Sequence, residues 1–168
     1  MADIFTKTKR SEVMSRIRSR GNKDTEVVLA RIFRTRKITG WRRQLQLKIK
    51  NSKLKTAFPL RPKQKLRTPH SALRTLKVRP DFVFTKSRLA VFVDGCFWHG
   101  CPVHGTKPRG NAAFWKKKFA ANIARDRLVN RTLRSAHWRV LRIWEHDLTR
   151  KHQARLLRVI RTKLGIEC

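Results

Sequence analysis

Acidic residues are scarce in this 168-residue chain, in which ten Asp and Glu stand against 43 Lys and Arg and give a formal net charge of +33. So much uncompensated positive charge has to be balanced by counterions or by a polyanion, and nucleic acid is the expected partner. A ribosomal-protein-like role would produce the same charge, so composition alone does not choose between the two. It does make the position of each carboxylate informative.

Cysteines and long hydrophobic runs are also in short supply. The chain has three cysteines, the last of them Cys168, which argues against a secreted disulfide scaffold. No apolar run approaches a membrane span, and the polar start MADIFTKTKRS lacks a signal-peptide pattern. We therefore expect one domain over residues 1–168, located in the cytoplasm with the nucleoid and making no membrane contact.

Two of the carboxylates lie in the stretch RPDFVFTKSRLAVFVDGCFWHGCPVH, residues 79–104. Apolar runs at 81–84 and 89–93 are rich in Val and Phe and flank a polar turn, which predicts a β-hairpin. Asp81 then heads the first strand and Asp94 ends the second, so the two carboxylates converge. Such a pair favours a hard divalent cation such as Mg²⁺. The alternative is that one acid caps a turn while the other pairs with an arginine.

Thiol and imidazole groups crowd the end of the same stretch. A C-x4-C-x2-H pattern suits tetrahedral zinc if a histidine after the strand-like run 138–144 completes the set. The four candidate ligands are Cys96, Cys101, His104 and His146. A redox pair or two buried thiols would explain the cysteines without a metal. His99, in the same loop, suits a general base or acid at a metal site, or is simply exposed.

These residues resemble the very-short-patch repair (Vsr-type) DNA mismatch endonucleases. The resemblance covers residues 1–47 and 79–164, including TKRSEVMSRIRSRGNKDTE, RPDFVF, VFVDGCFWHGC, FWKKK, RDRLVNRTLR and WRVLRIWEHDL. A PDF motif alone is weak, whereas GCFWH between that hairpin and a WRVLxxWE strand is highly specific. The family implies a restriction-endonuclease-like α/β fold, a PD-(D/E)xK variant, with a mixed sheet flanked by helices and a structural zinc site.

The resemblance also implies catalytic roles. Asp81 matches the aspartate that binds Mg²⁺, the backbone carbonyl of Val93 matches a further metal contact, and His99 matches the histidine that activates water. Glu26 matches an acid that assists near the active site, although by itself it would equally complement the dipole of a helix starting there. The family's histidine before Gly-Cys is replaced by Asp94, which could act as a second metal ligand.

The remaining implied roles are structural zinc binding and DNA contact. Cys96, Cys101, His104 and His146 fall where the family places zinc ligands, with Cys101 and His146 standing where a histidine and a cysteine are expected. Phe97, Trp98 and Trp115 match aromatic residues that the family inserts beside the mismatch. For Trp115, which lies near the start of a predicted helix, a core position is an equal alternative.

The spacing of apolar residues predicts the regular elements. Helices are expected at 10–18, 24–36, 111–135 and 147–164, and strands at 42–47 and 138–144 as well as in the hairpin. Residues 48–78 are rich in Lys and Arg, contain prolines and have no acid. We interpret them as a basic insertion, a mobile loop that adds phosphate contacts; a hairpin ordered on DNA or a destabilising scar are alternatives.

The resemblance implies a specific activity. The family nicks double-stranded DNA 5′ to the thymine of a T·G mismatch created by deamination of 5-methylcytosine. We expect a Mg²⁺-dependent monomer that acts on such DNA, alongside other mismatch-repair factors. Two alternatives are a restriction- or homing-type nuclease that cuts matched DNA and a non-catalytic zinc-containing nucleic-acid binder, which would not need Asp81 or His99.

Overall fold

The structure is a computed structural model, which describes residues 6, 8–9, 12, 25–51, 74–105, 108 and 110–166. Of the helix predicted at 10–18 only residue 12 is among these residues, and the expected helix start at Asp24 lies outside them. In chain order the elements are α1 Glu26–Thr35, β1 Trp41–Arg43, β2 Leu47–Asn51, β3 Arg74–Val78, β4 Phe82–Phe84, β5 Leu89–Asp94, α2 Ala112–Ser135, β6 Arg139–Trp144, two 3₁₀ turns at Glu145–Leu148 and Arg150–His152, and α3 Gln153–Leu164.

The main sheet has four strands in the order β1-β4-β5-β6. The predicted hairpin is confirmed: β4 and β5 are antiparallel, with Phe82 opposite Val91. Strand β6 pairs with β5 in parallel, and Asp94 lies opposite Trp144. Because a parallel neighbour needs a crossover connection, α2 carries the chain back between them. The carboxyl ends of β5 and β6 therefore lie side by side.

Alternation along the strands divides the core between the two faces of this sheet. Phe82, Phe84 and Val91 point toward α1 and α3 and pack in one buried cluster with residues of both helices. Val83 and Ala90 point the other way, into a second cluster that includes Leu133 of α2 and residues of β2 and β3. The predicted α/β architecture, a mixed sheet flanked by helices, is thus confirmed.

Two predicted boundaries are wrong. The single strand expected at 42–47 is divided, because Gln44 adopts a positive φ of 53° and donates its N–H to the carbonyl of Asp81, which turns the chain out of the main sheet. The helix expected from Asp147 begins only at Gln153. Thr149 is extended between the two 3₁₀ turns, and its hydroxyl donates to the carbonyl of His146.

The ends of the 48–78 segment are strands. Strands β2 and β3 form an antiparallel pair in which Ile49 lies opposite Leu76 and Asn51 lies opposite Arg74. Ile49 and Val78 are buried against the second core cluster. Residues 52–73 lie outside the described part of the chain, so their character as a mobile basic insertion stays a prediction.

In the described part of the chain, no helix has both the length and the apolar character needed to cross a membrane.

Candidate active site and metal centre

The four predicted zinc ligands are brought together at the carboxyl ends of β5 and β6. Since Asp94 lies opposite Trp144, the residues two positions further along each chain, Cys96 and His146, also become neighbours. The loop after β5 then turns back, where a Cβ on Gly105 would collide with the carbonyl oxygen of Cys101. One side-chain donor atom from each of Cys96, Cys101, His104 and His146 lies within 4.8 Å of the others.

The distances in this cluster suit a tetrahedral ion. The Nδ1 atom of His146 is 3.2 Å from the Sγ of Cys96 and 3.6 Å from the Sγ of Cys101, which is 4.0 Å from the Nδ1 of His104. Donors bound to tetrahedral zinc at 2.0–2.3 Å would be roughly 3.3–3.8 Å apart. Two sulfurs and two nitrogens in this arrangement are a chemically suitable zinc set. That they bind zinc stays a prediction.

Acidic neighbours support the cluster from outside. The carboxylate of Glu145 accepts the backbone N–H of Cys96 at 3.1 Å, and an oxygen of Asp147 lies 3.8 Å from the Nε2 of His146. Burial raises the pKa of the Cys96 thiol, an effect that Glu145 and the Cys101 thiol strengthen. A bound cation would reverse that shift, because metal-bound cysteine is a thiolate.

A second cluster lies on the α2 side of the same sheet edge and combines Asp94, His99 and Asp126. The Nδ1 atom of His99 is 2.7 Å from an oxygen of Asp126 and 3.7 Å from an oxygen of Asp94. Only the contact with Asp126 is a hydrogen bond. Although burial opposes it, the pKa of Asp126 is lowered because His99 and Arg142 bind its carboxylate.

Asp94 pairs with an arginine. Arg142 of β6 donates from Nε to one oxygen of Asp94 and from Nη2 to the other, both at 2.6 Å. This geometry matches the alternative that assigned one acid of the hairpin to an arginine. Any role for Asp94 as a metal ligand would have to compete with this bidentate contact.

Asp81 lies beside the second cluster. Its carboxylate accepts the backbone N–H of Val93 at 2.7 Å. Burial raises the pKa of Asp81 to about 6, and the neighbouring charges of Glu26 and Asp94 add to this effect, while the N–H of Val93 opposes it. A half-buried carboxylate close to other carboxylates is a suitable place for a divalent cation, which would remove the repulsion. The predicted Mg²⁺ ligand therefore fits its surroundings.

Glu26 opens helix α1 and is buried, with its side chain 6% exposed. One of its oxygens accepts a hydrogen bond from Arg43 of β1 at 3.0 Å. Its charge also contributes to the raised pKa of Asp81. Glu26 therefore stands both at the helix start and next to the candidate metal ligand, so both interpretations from the sequence are compatible with its position.

The predicted DNA-contacting aromatic residues form one cluster. The ring centroid of Phe97 lies 5.1 Å from those of Trp98 and Trp115 and 5.4 Å from that of Phe119, and all three pairs are edge to face. At the rim, Phe114 is 53% exposed. The first turns of α2 and the loop after β5 thus build a partly exposed aromatic surface next to His99.

Two polar residues of the site were missed from the sequence, Asp126 and Arg142. Each lies in a segment that resembles the family, RDRLVNRTLR and WRVLRIWEHDL, but arginines are too common in this chain to stand out. Asp126 carried a usable signal, because it is one of only ten acids and lies in an otherwise basic helix. Its partner is 27 residues away, and only the crossover through α2 brings them together.

The site combines carboxylates, an imidazole and metal-compatible donors at the ends of strands in an α/β sheet. This combination is typical of a metal-dependent nuclease domain. Comparison with known proteins agrees. Residues 70–104 match the family described as DNA mismatch endonuclease Vsr. Over 164 residues, 96% of each chain, this protein is 30% identical to the Type II nicking enzyme V.NmeAIP of Neisseria meningitidis serogroup A. The chain belongs to the Vsr-type DNA mismatch endonuclease family.

Other relatives match over a shorter region. The chain is 56% identical over 72 residues to the Type II nicking enzyme V.NaeI of Lentzea aerocolonigenes, 43% of each chain. It is 40% identical over 72 residues to the DNA mismatch endonuclease Vsr of Escherichia coli, 42% of this chain and 46% of that protein. The matched region spans 43%, 63% and 52% of V.NaeI, V.NmeDIP and V.XorIIP.

Proposed function

We propose that this protein is a Mg²⁺-dependent DNA endonuclease that nicks one strand of a duplex 5′ to the thymine of a T·G mismatch. The observation that carries the proposal is the hydrogen bond of 2.7 Å between His99 and Asp126, beside the half-buried carboxylate of Asp81. It supplies a positioned imidazole next to a candidate metal ligand. Family membership and the name of the Escherichia coli relative support the mismatch as the target.

His99 would act as the general base. With its Nδ1–H donated to Asp126, the other ring nitrogen is the one that can accept a proton from an attacking water. The water oxygen then bonds to phosphorus, and the bond from phosphorus to the leaving oxygen breaks. Asp81 and the backbone carbonyl of Val93 would hold Mg²⁺, which, when bound, supplies positive charge to the phosphate oxygens.

The other residues would bind and open the substrate. Cys96, Cys101, His104 and His146 would hold a structural Zn²⁺ that fixes the loop carrying His99. Phe97, Trp98 and Trp115 would insert beside the mismatch, which is cheaper to unstack than a matched pair. The large excess of Lys and Arg would hold the duplex by its phosphates in a sequence-independent way.

A second candidate is a nicking enzyme that acts on matched DNA. It is favoured by one observation: a relative that matches over nearly the whole chain is named a Type II nicking enzyme, and this name does not mention a mismatch. Both candidates use the same catalytic residues and differ only in what the aromatic surface must open. A non-catalytic binder is less well supported, because it would have no need of the bond between His99 and Asp126.

The test is nicking of a labelled duplex with one T·G pair, beside a matched duplex of the same sequence, with Mg²⁺ and with Asp81→Ala as the blank. Cleavage of the thymine strand of the mismatched duplex alone, lost in Asp81→Ala, is the expected result. Cleavage of both duplexes would favour the second candidate. Tight binding without cleavage of either duplex would contradict both.

A further inference from the structure

Arg142 joins the two carboxylates that surround His99. Its guanidinium gives two hydrogen bonds to Asp94 and lies 2.9 Å from the other oxygen of the Asp126 carboxylate through Nη2. Its remaining nitrogen, Nη1, donates to Asn130 of α2 at 3.3 Å, and its Cζ lies 5.0 Å from the ring centroid of Phe92. Burial opposes its charge, yet the pKa of Arg142 is raised because these two carboxylates stabilise the guanidinium.

The contacts divide the Asp126 carboxylate between two partners. Oδ1 binds Arg142 and Oδ2 binds the Nδ1 of His99. A carboxylate held at both oxygens has little freedom to rotate, so the direction from which it meets the imidazole is fixed. Because Oδ2 is ionised and only accepts, His99 has to present a hydrogen on Nδ1. The arginine thereby selects which ring nitrogen of His99 stays free.

Arg142 also determines what the second carboxylate, Asp94, can contact. Asp94 is 4% exposed, and a buried carboxylate without a partner is costly. Its 3.7 Å distance from the Nδ1 of His99 makes it a rival for the imidazole hydrogen. Since both of its oxygens are bound by Arg142, it is kept from replacing Asp126 in that role.

We propose that Arg142 is a positioning residue of the catalytic site, which orients Asp126 toward His99 and keeps Asp94 from competing for the imidazole. The proposal rests on the proposed function, in which His99 acts on water. Arg142 itself touches neither substrate nor metal in this scheme. If Arg142 served only as a structural ion pair, its removal would destabilise the fold but would not change which ring nitrogen of His99 carries the hydrogen.

The first experiment compares Arg142→Met with the control Arg139→Met. Arg139 is an exposed arginine on the same strand, and its side chain donates to the carbonyl of Ser87. Single-turnover nicking and duplex binding are measured separately. We expect Arg142→Met to nick about 100-fold more slowly, since a small displacement of a catalytic group has effects of this size. Its DNA affinity should fall no more than that of Arg139→Met, which removes the same charge and should nick at the wild-type rate.

A double variant separates positioning from stability, because Arg142→Met alone could unfold by leaving Asp94 unpaired. Arg142→Met combined with Asp94→Asn removes that unpaired charge and should fold. It should still nick slowly, because the Oδ1 of Asp126 no longer has its partner. Arg142→Lys keeps the charge but not the two-pronged geometry, so we expect an intermediate rate. Recovery of the full rate in the double variant would contradict the proposal.

The second experiment observes His99 directly. In protein with ¹⁵N-labelled histidine, long-range ¹H–¹⁵N spectra distinguish the two neutral ring forms. Wild-type protein should show His99 with hydrogen on Nδ1, and the double variant should show a mixture of forms. An unchanged His99 signal would overturn the proposal. This measurement needs no DNA, so it still decides the role of Arg142 if wild-type protein nicks no duplex and the proposed function fails.

Discussion

At the scale of single residues, the candidate metal ligand Asp81 links the stability of the fold to the proposed activity. Burial and neighbouring acids raise its pKa to about 6, whereas an aspartate in an unfolded chain has a pKa of about 3.9. Between about pH 4 and pH 6 the unfolded chain therefore binds fewer protons than the folded one, so the contribution of Asp81 to stability falls as pH rises. Above about pH 6 the charged carboxylate opposes folding by on the order of 2–3 kcal/mol.

We therefore expect Asp81→Asn to abolish nicking but to stabilise the protein at pH 8 in the absence of Mg²⁺. Denaturant unfolding of both proteins at pH 4 and pH 8, with any bound zinc left in place, measures the difference. At about pH 4 wild-type Asp81 is protonated, so the two proteins should be nearly equal in stability. Adding Mg²⁺ should stabilise the wild type only. Equal stabilities at pH 8 would show that the charged carboxylate of Asp81 does not destabilise the fold.

The sequence identified individual candidate residues better than it identified their partners. Unusual residue types and family motifs singled out the thiols, the imidazoles and the hairpin acids, and the structure gathers them at one sheet edge. The pairing of Asp94 with Arg142 spans 48 residues and depends on the parallel register of β5 and β6. Among 43 basic residues, nothing local distinguishes the arginine that turns inward.

At the scale of structural elements, the candidate zinc site ties the loop after β5 to the turn after β6. Cys101 is its buried member, and the connection closes a loop that contains the whole of α2. If these four residues bind zinc, the free energy of zinc binding adds to the free energy that stabilises the folded protein. The loop that carries His99 would then depend on the metal for its position.

We expect Cys101→Ser to lose zinc and to lower the free energy of unfolding by at least about 3 kcal/mol. Elemental analysis of purified protein and guanidinium unfolding measure the two effects. His137→Ala is the matched control, since His137 is exposed at the end of α2 and outside the cluster. Full zinc content in Cys101→Ser, or none in the wild type, would contradict the site.

The aromatic cluster yields an element-scale prediction about substrate opening. Phe97 contacts three other rings, whereas Phe114 lies at the exposed rim and contacts Trp115. If the cluster inserts beside the mismatch, Phe97→Leu should slow nicking of a T·G duplex about 10-fold or more, because the unstacked state loses part of its support. Phe114→Leu should have a smaller effect.

Fluorescence of 2-aminopurine placed next to the mismatch reports unstacking independently of cleavage. Wild-type protein should increase it, and Phe97→Leu should increase it less. If Phe97→Leu lowers only thermal stability and leaves both fluorescence and nicking rate intact, the cluster serves the fold alone.

Predicting the elements succeeded where the pattern was periodic and failed where a single residue broke it. The hairpin follows from two runs of apolar residues and the long helix α2 from spaced apolar residues, and both lie close to the predicted bounds. The division of the first strand depends on the positive φ of Gln44, a residue with no special preference for that conformation. The late start of α3 depends on the hydrogen bond of Thr149. No sequence pattern predicts either the φ angle of Gln44 or the hydrogen bond of Thr149.

At the scale of the whole molecule, the net charge of +33 predicts contacts with nucleic-acid phosphates, and removal of the basic segment 52–73 is a direct test of that prediction. Asn51 and Arg74 are directly paired across β2 and β3, so the segment leaves and re-enters the fold at adjacent positions. A two-residue Asn-Gly turn suits such an antiparallel pair. Replacing residues 52–73 by Asn-Gly should therefore preserve the fold.

We expect this replacement to weaken binding to matched duplex and to flatten its dependence on salt, by roughly 0.9 in the slope of log K against log salt for each phosphate that the protein no longer neutralises. The control keeps the length of the segment but changes its Lys and Arg to Gln. Because the predicted role of residues 52–73 is electrostatic, both variants should show the same reduction in slope while single-turnover nicking at saturating protein stays near the wild-type rate. Unchanged slopes in both would mean that the segment does not bind phosphates. A reduction confined to the shortened variant would mean that length, rather than charge, is what the segment contributes.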